Sequence, residues 1–555
     1  MFDATRSEWI IDKTEASASR GMVTADHPAA ADAALQVLKE GGNAIDAAVT
    51  AAYVMGVAEP GLSGIGGVAV MVIRLPDGRE TVIDGSGIAP RAAKAEMFKT
   101  ARGSDVKGMY GWPAVAGDAN NVGYLSAGVP GMVAATALAL QRYGTISLAR
   151  AIEPAVALAT TGVEVDWHVA LTFTLYADRL WAYPESKRTF YKEGGLPYKP
   201  PTTLEGGGDR MAFPDLARSL RTIATEGPDA LYRGTLAKAI AEDIRRGGGI
   251  VTPADLASYH ARELPALSFE HQGHRIATNP DCGGGITVAE MLNILDGFDL
   301  GSVDRASAGY YHLVAEACRA AFIDRFEHLG DPAQVDAPFA RLASREHAER
   351  VRATIDPRGR RRTAVAAGTR DVPNTTHMCA VDASRMCVSL TSTLGGAFGS
   401  AAVIRGTGIL LSNVMTWFDP RPGRPNSIAG GKRILWAPSP AIVSRDGKPR
   451  LAIGGSGGRR LISGTAETIL DFVRGDGPQH AANGVRVHDE GGPTLVDSRV
   501  PREVRDELTR MGHDVVVQEE TLGTAPFGRI NAIEIDGDQL RGGVGRLRVA
   551  MAQGL

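Results

Sequence analysis

The junction Asn374-Thr375-Thr376-His377 could supply a nucleophile. A threonine hydroxyl attacks carbonyl groups poorly unless a base removes its proton, and one compact base is the α-amine of the same residue when that residue begins a chain. Such an amine has a pKa of about 7.7 to 8.0, so part of it is neutral near physiological pH. Thr375 could gain this amine only by cleavage of the bond before it. Taken alone, such a junction is more often an ordinary entry into a strand.

The segments on either side of the junction predict how Thr375 would be held. Residues 352–374 form a connector that is interrupted by Pro and Gly and has no apolar periodicity. Its basic cluster is interpreted as a solvated loop: Arg358, Arg360, Arg361 and Arg362. Two β-rich runs then flank a turn at residues 382–385. In a hairpin with that turn, the numbers of paired residues sum to about 767 or 768, which puts Thr375 opposite Ser392 or Thr393.

Glycines at 454–458 form a second candidate feature, in the run Gly-Gly-Ser-Gly-Gly. Alone, this run indicates a tight turn. Beside a nucleophile, backbone N–H groups without side chains would make an oxyanion site. A phosphate-binding loop is not predicted, because neither GxxxxGK[ST] nor a clean GxGxxG occurs. The earlier run at residues 61–67, GLSGIGG, is interpreted as structural, since glycines let chain segments approach closely.

Cysteine and histidine spacing gives no metal site. The four cysteines lack CxxC spacing and are interpreted as buried thiols: Cys282, Cys318, Cys379 and Cys387. The twelve histidines are scattered, and no HExxH or Cys/His ligand set surrounds them. We therefore expect no catalytic metal and no cofactor.

The first half of the chain reads as alternating helices and strands. A helix is predicted after Pro28 with a stop at Gly41 and Gly42, and Asn43 then caps an Ala-rich helix that should be buried on nearly all sides. A hairpin follows around residues 76–78. From about 128 to 350 the pattern is mainly helical, and residues 312–326 are interpreted as a core helix.

Composition excludes several classes of protein. Hydrophobic residues make up 44% of the 555 residues and charged residues 22%, as in ordinary globular proteins. The net charge of -3 gives no attraction to nucleic acid or to anionic membranes. No apolar run reaches the length of a membrane span. The first residues lack the apolar segment of a secretory signal, so a cytoplasmic location is expected.

The chain resembles the γ-glutamyltranspeptidase family along most of its length. The resemblance is carried by blocks in the family's order: TADHPAAADAALQVLKEGGNAIDAAVTAAYVMGVAEPGLSGIGG, AGVPGMVAATALALQRYG, GPDALYRG, GGGIVTPADLASY, HLVAEACRAAFIDR, NTTH, GTGILLSN and IGGSGGRR. It implies an α/β (α+β) fold of the αββα N-terminal-nucleophile hydrolase type. It also implies cleavage between Asn374 and Thr375 into subunits 1–374 and 375–555, intertwined in one fold.

The same resemblance assigns the catalytic residues. Thr375 becomes the new N-terminus and the nucleophile. Thr393, eighteen residues further on, hydrogen-bonds to it and is one of the two residues that the hairpin count places opposite Thr375. Gly457 and Gly458 supply the oxyanion hole.

The sequence departs from the family where the resemblance implies binding of a glutamyl group. Ser86 stands for an arginine, Gly395 for an asparagine, Val414 for a glutamine, Trp417 for an aspartate, and Trp436 and Ala437 for two serines. A charged substrate group buried without a partner costs several kcal/mol, so glutathione is not expected as the preferred substrate. The tryptophans should make the acyl pocket smaller and aromatic. Candidate carboxylate partners remain in Arg459, Arg460 and Arg405.

Three functions stay open from the sequence. The leading hypothesis is an amidohydrolase or acylase that passes an acyl group from an amide to water through a Thr375 ester, as in cephalosporin-type acylases and oxamate-type amidohydrolases of the family. The second is a true γ-glutamyl hydrolase or transpeptidase, and the third is an inactive binding protein. The implied partners are a small-molecule amide and the two cleaved subunits for each other, which could pair further as a dimer of heterodimers. Neither nucleic acid nor a membrane is expected.

Overall fold

Two seven-stranded antiparallel sheets form the centre of the molecule. A computed structural model describes residues 11–101, 108–201, 207–360, 373–521 and 524–555. Sheet I has the strand order Met551–Gly554, Met22–Ala25, Pro373–Val381, Cys387–Gly396, Val68–Arg74, Glu80–Gly85, Arg262–Pro265. Sheet II has the order Ala16–Ala18, Gln539–Val544, Arg529–Asp536, Lys448–Ser456, Ala441–Arg445, His274–Thr278, Leu267–His271. The remaining described strands are short: Val163–Glu164, Arg210–Met211, Val403–Ile404, Ile409–Leu410, Val487–His488, Thr494–Asp497 and Val515–Gln518.

Helices cover the outer faces of both sheets. In the described ranges the α-helices are Pro28–Lys39, Ala44–Ala58, Met132–Tyr143, Leu148–Thr161, Trp167–Leu175, Ala177–Trp181, Pro184–Phe190, Pro214–Glu226, Asp229–Tyr232, Thr235–Arg246, Pro253–Ala257, Gly285–Leu295, Ala308–His328, Phe339–Leu342, Arg345–Arg352, Arg460–Val473, Pro478–Ala482 and Arg502–Arg510. Helix Ala44–Ala58 packs on sheet I, and helix Arg460–Val473 packs on sheet II. The layers therefore follow the predicted αββα order.

The helices on sheet I begin where the sequence predicts. Pro28 occupies the first turn of its helix, whose N-terminus is capped by the His27 ring. The Asn43 side chain accepts from the N–H groups of Ile45 and Asp46 in a capping box, and every residue of helix Ala44–Ala58 is buried. This confirms the prediction of a helix inside the fold.

Strands from both sides of residue 375 pair within each sheet. Strand Cys387–Gly396 lies between Pro373–Val381 and the much earlier Val68–Arg74. In sheet II, Ala16–Ala18 pairs with Gln539–Val544. The regions 1–374 and 375–555 therefore share both seven-stranded sheets.

Two features differ from the sequence interpretation. The region from 128 to 350 is mainly helical, but it also contains the edge strand of sheet I, Arg262–Pro265, and the last two strands of sheet II, His274–Thr278 and Leu267–His271. The interpretation of the basic connector as a solvated loop is wrong for Arg360. This side chain is 8% exposed and pairs with Asp489 at 3.0 Å. Arg358 is 92% exposed, as predicted, while Arg361 and Arg362 lie outside the described residues.

The remaining predictions concern burial. The four cysteines are buried thiols, as expected. Helix Ala308–His328 contains the predicted core helix, and its first half is buried on all sides. Within the part of the chain that the structure describes, no helix has the length and apolar character needed to cross a membrane.

Candidate active site

The hairpin that holds Thr375 has the predicted register. Thr376 pairs with Ser392 and His377 with Thr391, so paired numbers sum to 768. The register shifts between Asn374 and Thr376, which makes Thr375 the irregular residue of the strand. A bulge interrupts regular pairing and redirects a side chain, and such irregularities are common next to active sites.

A continuous hydrogen-bond chain joins Thr375, Thr393 and the peptide bond before Thr375. The Thr375 hydroxyl donates to Thr393 Oγ1 at 3.1 Å, and the Thr393 hydroxyl donates to the Asn374 carbonyl oxygen at 2.8 Å. The Gly395 N–H donates to Thr393 Oγ1 at 2.9 Å. All of these groups are buried. The chain orients Thr375 and places a donor on the carbonyl oxygen of the bond that would be cut.

Below this chain lies a charged group that sequence reasoning missed. Arg548 Nη1 lies 3.5 Å from the Thr375 carbonyl oxygen and 3.3 Å from Asp26 Oδ2. Asp26 also accepts from the His377 N–H at 3.2 Å and from Asn531 Nδ2 at 2.8 Å. Burial raises the pKa of Asp26, and the neighbouring Arg548 partly offsets that rise. Asp26 lies in the TADHP block, but no local signal links it to an arginine more than five hundred residues away.

His377 stays neutral and has a structural role. Its Nδ1 lies 2.8 Å from Thr391 Oγ1, and its Nε2 lies 3.3 Å from both Cys379 Sγ and Ser389 Oγ. Burial lowers the pKa of His377 to about 3. An imidazole with that pKa is a weak base, so the proton acceptor for Thr375 must come from elsewhere.

The glycine loop lies at the same end of the sandwich as Thr375. A Cβ on Gly454 would come within 2.3 Å of the His377 ring, so the two strands touch there. Gly457 and Gly458 follow with φ of +137° and +59°, directly before helix Arg460–Val473. Both angles favour glycine. Backbone N–H groups at a helix N-terminus favour negative charge, as an oxyanion site requires.

Two of the predicted substrate-binding positions lie beside Thr393. Gly395 has φ of +96°, and a Cβ there would come 3.4 Å from Trp417 Nε1. The Trp417 ring stacks on Tyr110 with centroids 3.8 Å apart and planes inclined by 13°. Trp417 Nε1 is buried without a hydrogen-bond partner among the described residues. Trp417 therefore places a buried aromatic ring and its N–H close to Gly395.

Two further positions, Ser86 and Trp436, line a separate small cavity with Asp84 and Arg262. Its volume is about 10 Å³, room for about one water and not for an acyl group. The Ser86 hydroxyl donates to Asp84 at 3.1 Å and accepts from Arg433 at 3.2 Å. Trp436 is 1% exposed and fills the space beside it.

The three arginines that the sequence offers as carboxylate partners lie in different environments. Arg459 is buried and donates from Nε to both Glu490 carboxylate oxygens at 3.0 Å. Burial alone would raise the pKa of Glu490, but Arg459 and His488 hold it well below its ordinary value. The Arg459 charge is thus balanced within the protein. Arg405 is 68% exposed, and Arg460 is buried at the start of its helix.

One group of potential metal ligands is found among the described residues. His347 Nε2 lies 2.7 Å from Asp324 and 3.1 Å from Glu290. Burial, with a smaller contribution from Asp324, raises the pKa of Glu290 well above its ordinary value. The His347 ring lies within hydrogen-bond distance of both carboxyl groups, so the three side chains partner one another.

Comparison with known proteins identifies the family. The family model described as Gamma-glutamyltranspeptidase matches residues 30–553. The chain belongs to the γ-glutamyltranspeptidase family. Among curated relatives of this family, the "Acylase ACY 1 proenzyme" of Pseudomonas sp. (strain SE83) is 36% identical over 520 residues, covering 93% of this chain and 91% of the relative. The "Glutathione hydrolase proenzyme" of Escherichia coli (strain K12) is 35% identical, covering 85% and 81%.

Solved structures of the family agree with the fold. The cephalosporin acylase from Bacillus halodurans has a TM-score of 0.88 at 27% identity and covers 100% of this chain and 99% of that chain. The γ-glutamyltranspeptidase of Helicobacter pylori has a TM-score of 0.55 at 32% identity, covering 64% and 93%. The predicted fold is confirmed, and the chain is an enzyme of the N-terminal-nucleophile hydrolase class.

Proposed function

We propose that the chain cleaves itself between Asn374 and Thr375 and then hydrolyses amides through an ester on Thr375. The observation that carries this proposal is the chain of hydrogen bonds from Thr375 through Thr393 to the Asn374 carbonyl oxygen. An ordinary strand entry would not need a buried hydroxyl pair aimed at its own preceding peptide bond.

Self-cleavage uses the groups already in place. The Thr375 hydroxyl oxygen attacks the Asn374 carbonyl carbon, and Thr393 donates to the oxygen as it gains negative charge. The C–N bond breaks, the nitrogen takes up the proton that the hydroxyl loses, and the acyl group now forms an ester with Thr375, whose α-amine is free. Water hydrolyses this ester, releasing the Asn374 carboxylate and restoring the Thr375 hydroxyl.

Substrate turnover repeats the same chemistry on another amide. The α-amine of Thr375 removes the proton of its own hydroxyl, which attacks the substrate carbonyl. The N–H groups of Gly457 and Gly458 stabilise the oxyanion, and the leaving amine takes the proton. Water then hydrolyses the threonyl ester and releases the acid. Residues 1–374 and 375–555 form the two subunits, held together by the shared sheets.

The acyl pocket does not favour a glutamyl head. Ser86, Gly395, Val414, Trp417, Trp436 and Ala437 replace the polar residues that the family resemblance implies. The stacked Trp417–Tyr110 pair presents an aromatic surface next to Thr393. An acyl group without an α-amino group fits such a surface better than glutamate does. The similarity to an acylase proenzyme and to a cephalosporin acylase supports this choice.

A second candidate is a γ-glutamyl hydrolase or transpeptidase that binds glutamate with other residues. It is favoured by the 35% identity to a glutathione hydrolase proenzyme. The two are separated by kcat/KM for glutathione and for a panel of simple N-acyl amides, measured on processed protein. We expect the amides to be preferred by orders of magnitude, because a site without the polar partners of glutamate loses selectivity for it. A clear preference for glutathione would establish the second candidate.

A further inference from the structure

Arg529 lies beside the proposed oxyanion loop and has no role in the proposed self-cleavage or amide turnover. It begins strand Arg529–Asp536 and pairs with Ser456, the residue directly before Gly457. Gly528, which precedes Arg529 in the chain, packs closely on Gly457. A Cβ on Gly457 would lie 2.5 Å from the Gly528 Cα. Arg529 therefore borders the site from sheet II.

The Arg529 side chain is buried and lacks a counter-ion. The residue is only 7% exposed, and its Nε is buried without a hydrogen-bond acceptor. Within the described ranges, no residue forms a hydrogen bond or an ion pair with its guanidinium. Burial, with a further effect of Arg548, lowers the pKa of Arg529 to about 9. A buried charge without a counter-ion is energetically unfavourable unless a bound group supplies the opposite charge.

The carboxylates that act electrostatically on Arg529 already have other basic partners. Glu520, Asp26 and Glu59 all act electrostatically on Arg529, with Glu520 the strongest, and Glu520 itself lies 3.5 Å from Arg546. Asp26 lies 3.3 Å from Arg548, and Glu59 lies 3.3 Å from the His168 ring. Arg548 also reaches the Thr375 carbonyl oxygen at 3.5 Å, so this charged group extends to the nucleophile. None of these three carboxylates forms an ion pair with Arg529.

We propose that Arg529 binds a carboxylate of the substrate, so that the preferred amides are anionic. This inference rests on the proposed function of Thr375 and narrows its substrate class. A guanidinium offers paired N–H donors that match a carboxylate, and such a bond is strongest where water is excluded. The carboxylate belongs either to the acyl group or to the leaving amine, and matched substrates distinguish the two.

The test compares anionic and neutral amides of the same length. Glutaryl 4-nitroanilide is paired with valeryl 4-nitroanilide for a carboxylate in the acyl group. N-valeryl-4-aminobenzoate is paired with valeranilide for a carboxylate in the amine. We expect processed wild-type protein to prefer the anionic member of one pair by at least about tenfold in kcat/KM. Arg529→Gln should lose that preference, mainly through KM, and keep its rate on the neutral member within about threefold.

Two further variants guard against a folding artefact. Arg529→Lys keeps the charge but not the paired donors, and should show an intermediate preference. Arg358→Gln removes an exposed arginine, 92% accessible, and should behave as wild type. Equal use of anionic and neutral amides by the wild type, or an unchanged preference in Arg529→Gln, would overturn the inference.

A failure of the proposed amide hydrolysis can be distinguished from a failure of the carboxylate site. If the processed protein cleaves no amide, binding of glutarate is measured by calorimetry instead. Binding by wild type that Arg529→Gln weakens at least about tenfold supports the carboxylate site even then. Absence of glutarate binding in the wild type, together with no anionic preference, rejects it.

Discussion

At the scale of single residues, Thr393 has more than one task in the proposed chemistry. Its hydroxyl accepts from Thr375 and from the Gly395 N–H and donates to the Asn374 carbonyl oxygen. A hydroxyl has one donor and two acceptor sites, so all of its capacity is used. This saturation fixes the side chain in one orientation.

Replacing Thr393 tests this role. Thr393→Val keeps the shape and β-branching but removes the hydroxyl, and we expect both self-cleavage and turnover to slow by about tenfold to a hundredfold. Thr393→Ser keeps the hydroxyl and should recover most of the rate. Cleavage is followed on denaturing gels and turnover with a chromogenic amide. Normal rates in the valine variant would remove Thr393 from the catalytic set.

Single residues also mark the limit of sequence reasoning. Spacing around one turn was enough to place Thr375 opposite Ser392 or Thr393, because a hairpin is a local structure, and the family resemblance then selected Thr393. The positions of Asp26, Arg529 and Arg548 depend on pairing between strands hundreds of residues apart, and no local pattern encodes it. Arg360 was misread for the same reason, since its partner Asp489 lies on a distant segment.

At the scale of elements, the loop between strand Lys448–Ser456 and helix Arg460–Val473 holds the proposed oxyanion site. Gly457 has φ of +137° and no room for a Cβ beside Gly528. The sequence indicated a glycine turn here, but only the neighbouring strand explains why a side chain is excluded. The strands between residues 262 and 278 were also not predicted from the sequence, because helical patterns dominate on both sides of them.

An alanine at Gly457 should displace this loop. We expect Gly457→Ala to lower kcat by about 100-fold to 1000-fold, the usual effect of losing one oxyanion donor. The matched control is Gly475→Ala, because Gly475 has φ of +98° but nothing within 4 Å of a Cβ. The control carries similar backbone strain away from the site and should keep its activity. Equal losses in both variants would mean that strain, and not the oxyanion site, causes the effect.

At the scale of the whole molecule, both sheets combine strands from the two sides of Thr375. This arrangement predicts that cleavage leaves the fold intact. After processing, the two fragments should elute together in gel filtration without denaturant and separate only on unfolding. Separation of the fragments under native conditions would contradict the shared-sheet arrangement.

The buried histidines predict how stability depends on pH. Burial and the neighbouring His312 lower the pKa of His513 to about 3, against about 6.5 in an unfolded chain. Because the unfolded state binds this proton first, the stabilisation is complete above pH 6.5 and is lost as pH falls towards 3. Between pH 6.5 and 4.5 the free energy of unfolding should fall in both proteins, and the fall should be smaller in His513→Gln than in wild type by up to about 2 kcal/mol. Thermal unfolding at several pH values measures this, and parallel curves for the two proteins would contradict it.

The most direct test of the central claim is the amino-terminal sequence of the smaller fragment of purified protein. We predict a fragment that begins Thr375-Thr376-His377-Met378, together with a larger fragment that ends at Asn374. Thr375→Ala should remain one chain near 58.4 kDa under the same conditions. A fragment with another first residue, or a wild-type chain that stays uncut while hydrolysing amides, would show that Thr375 is not the nucleophile.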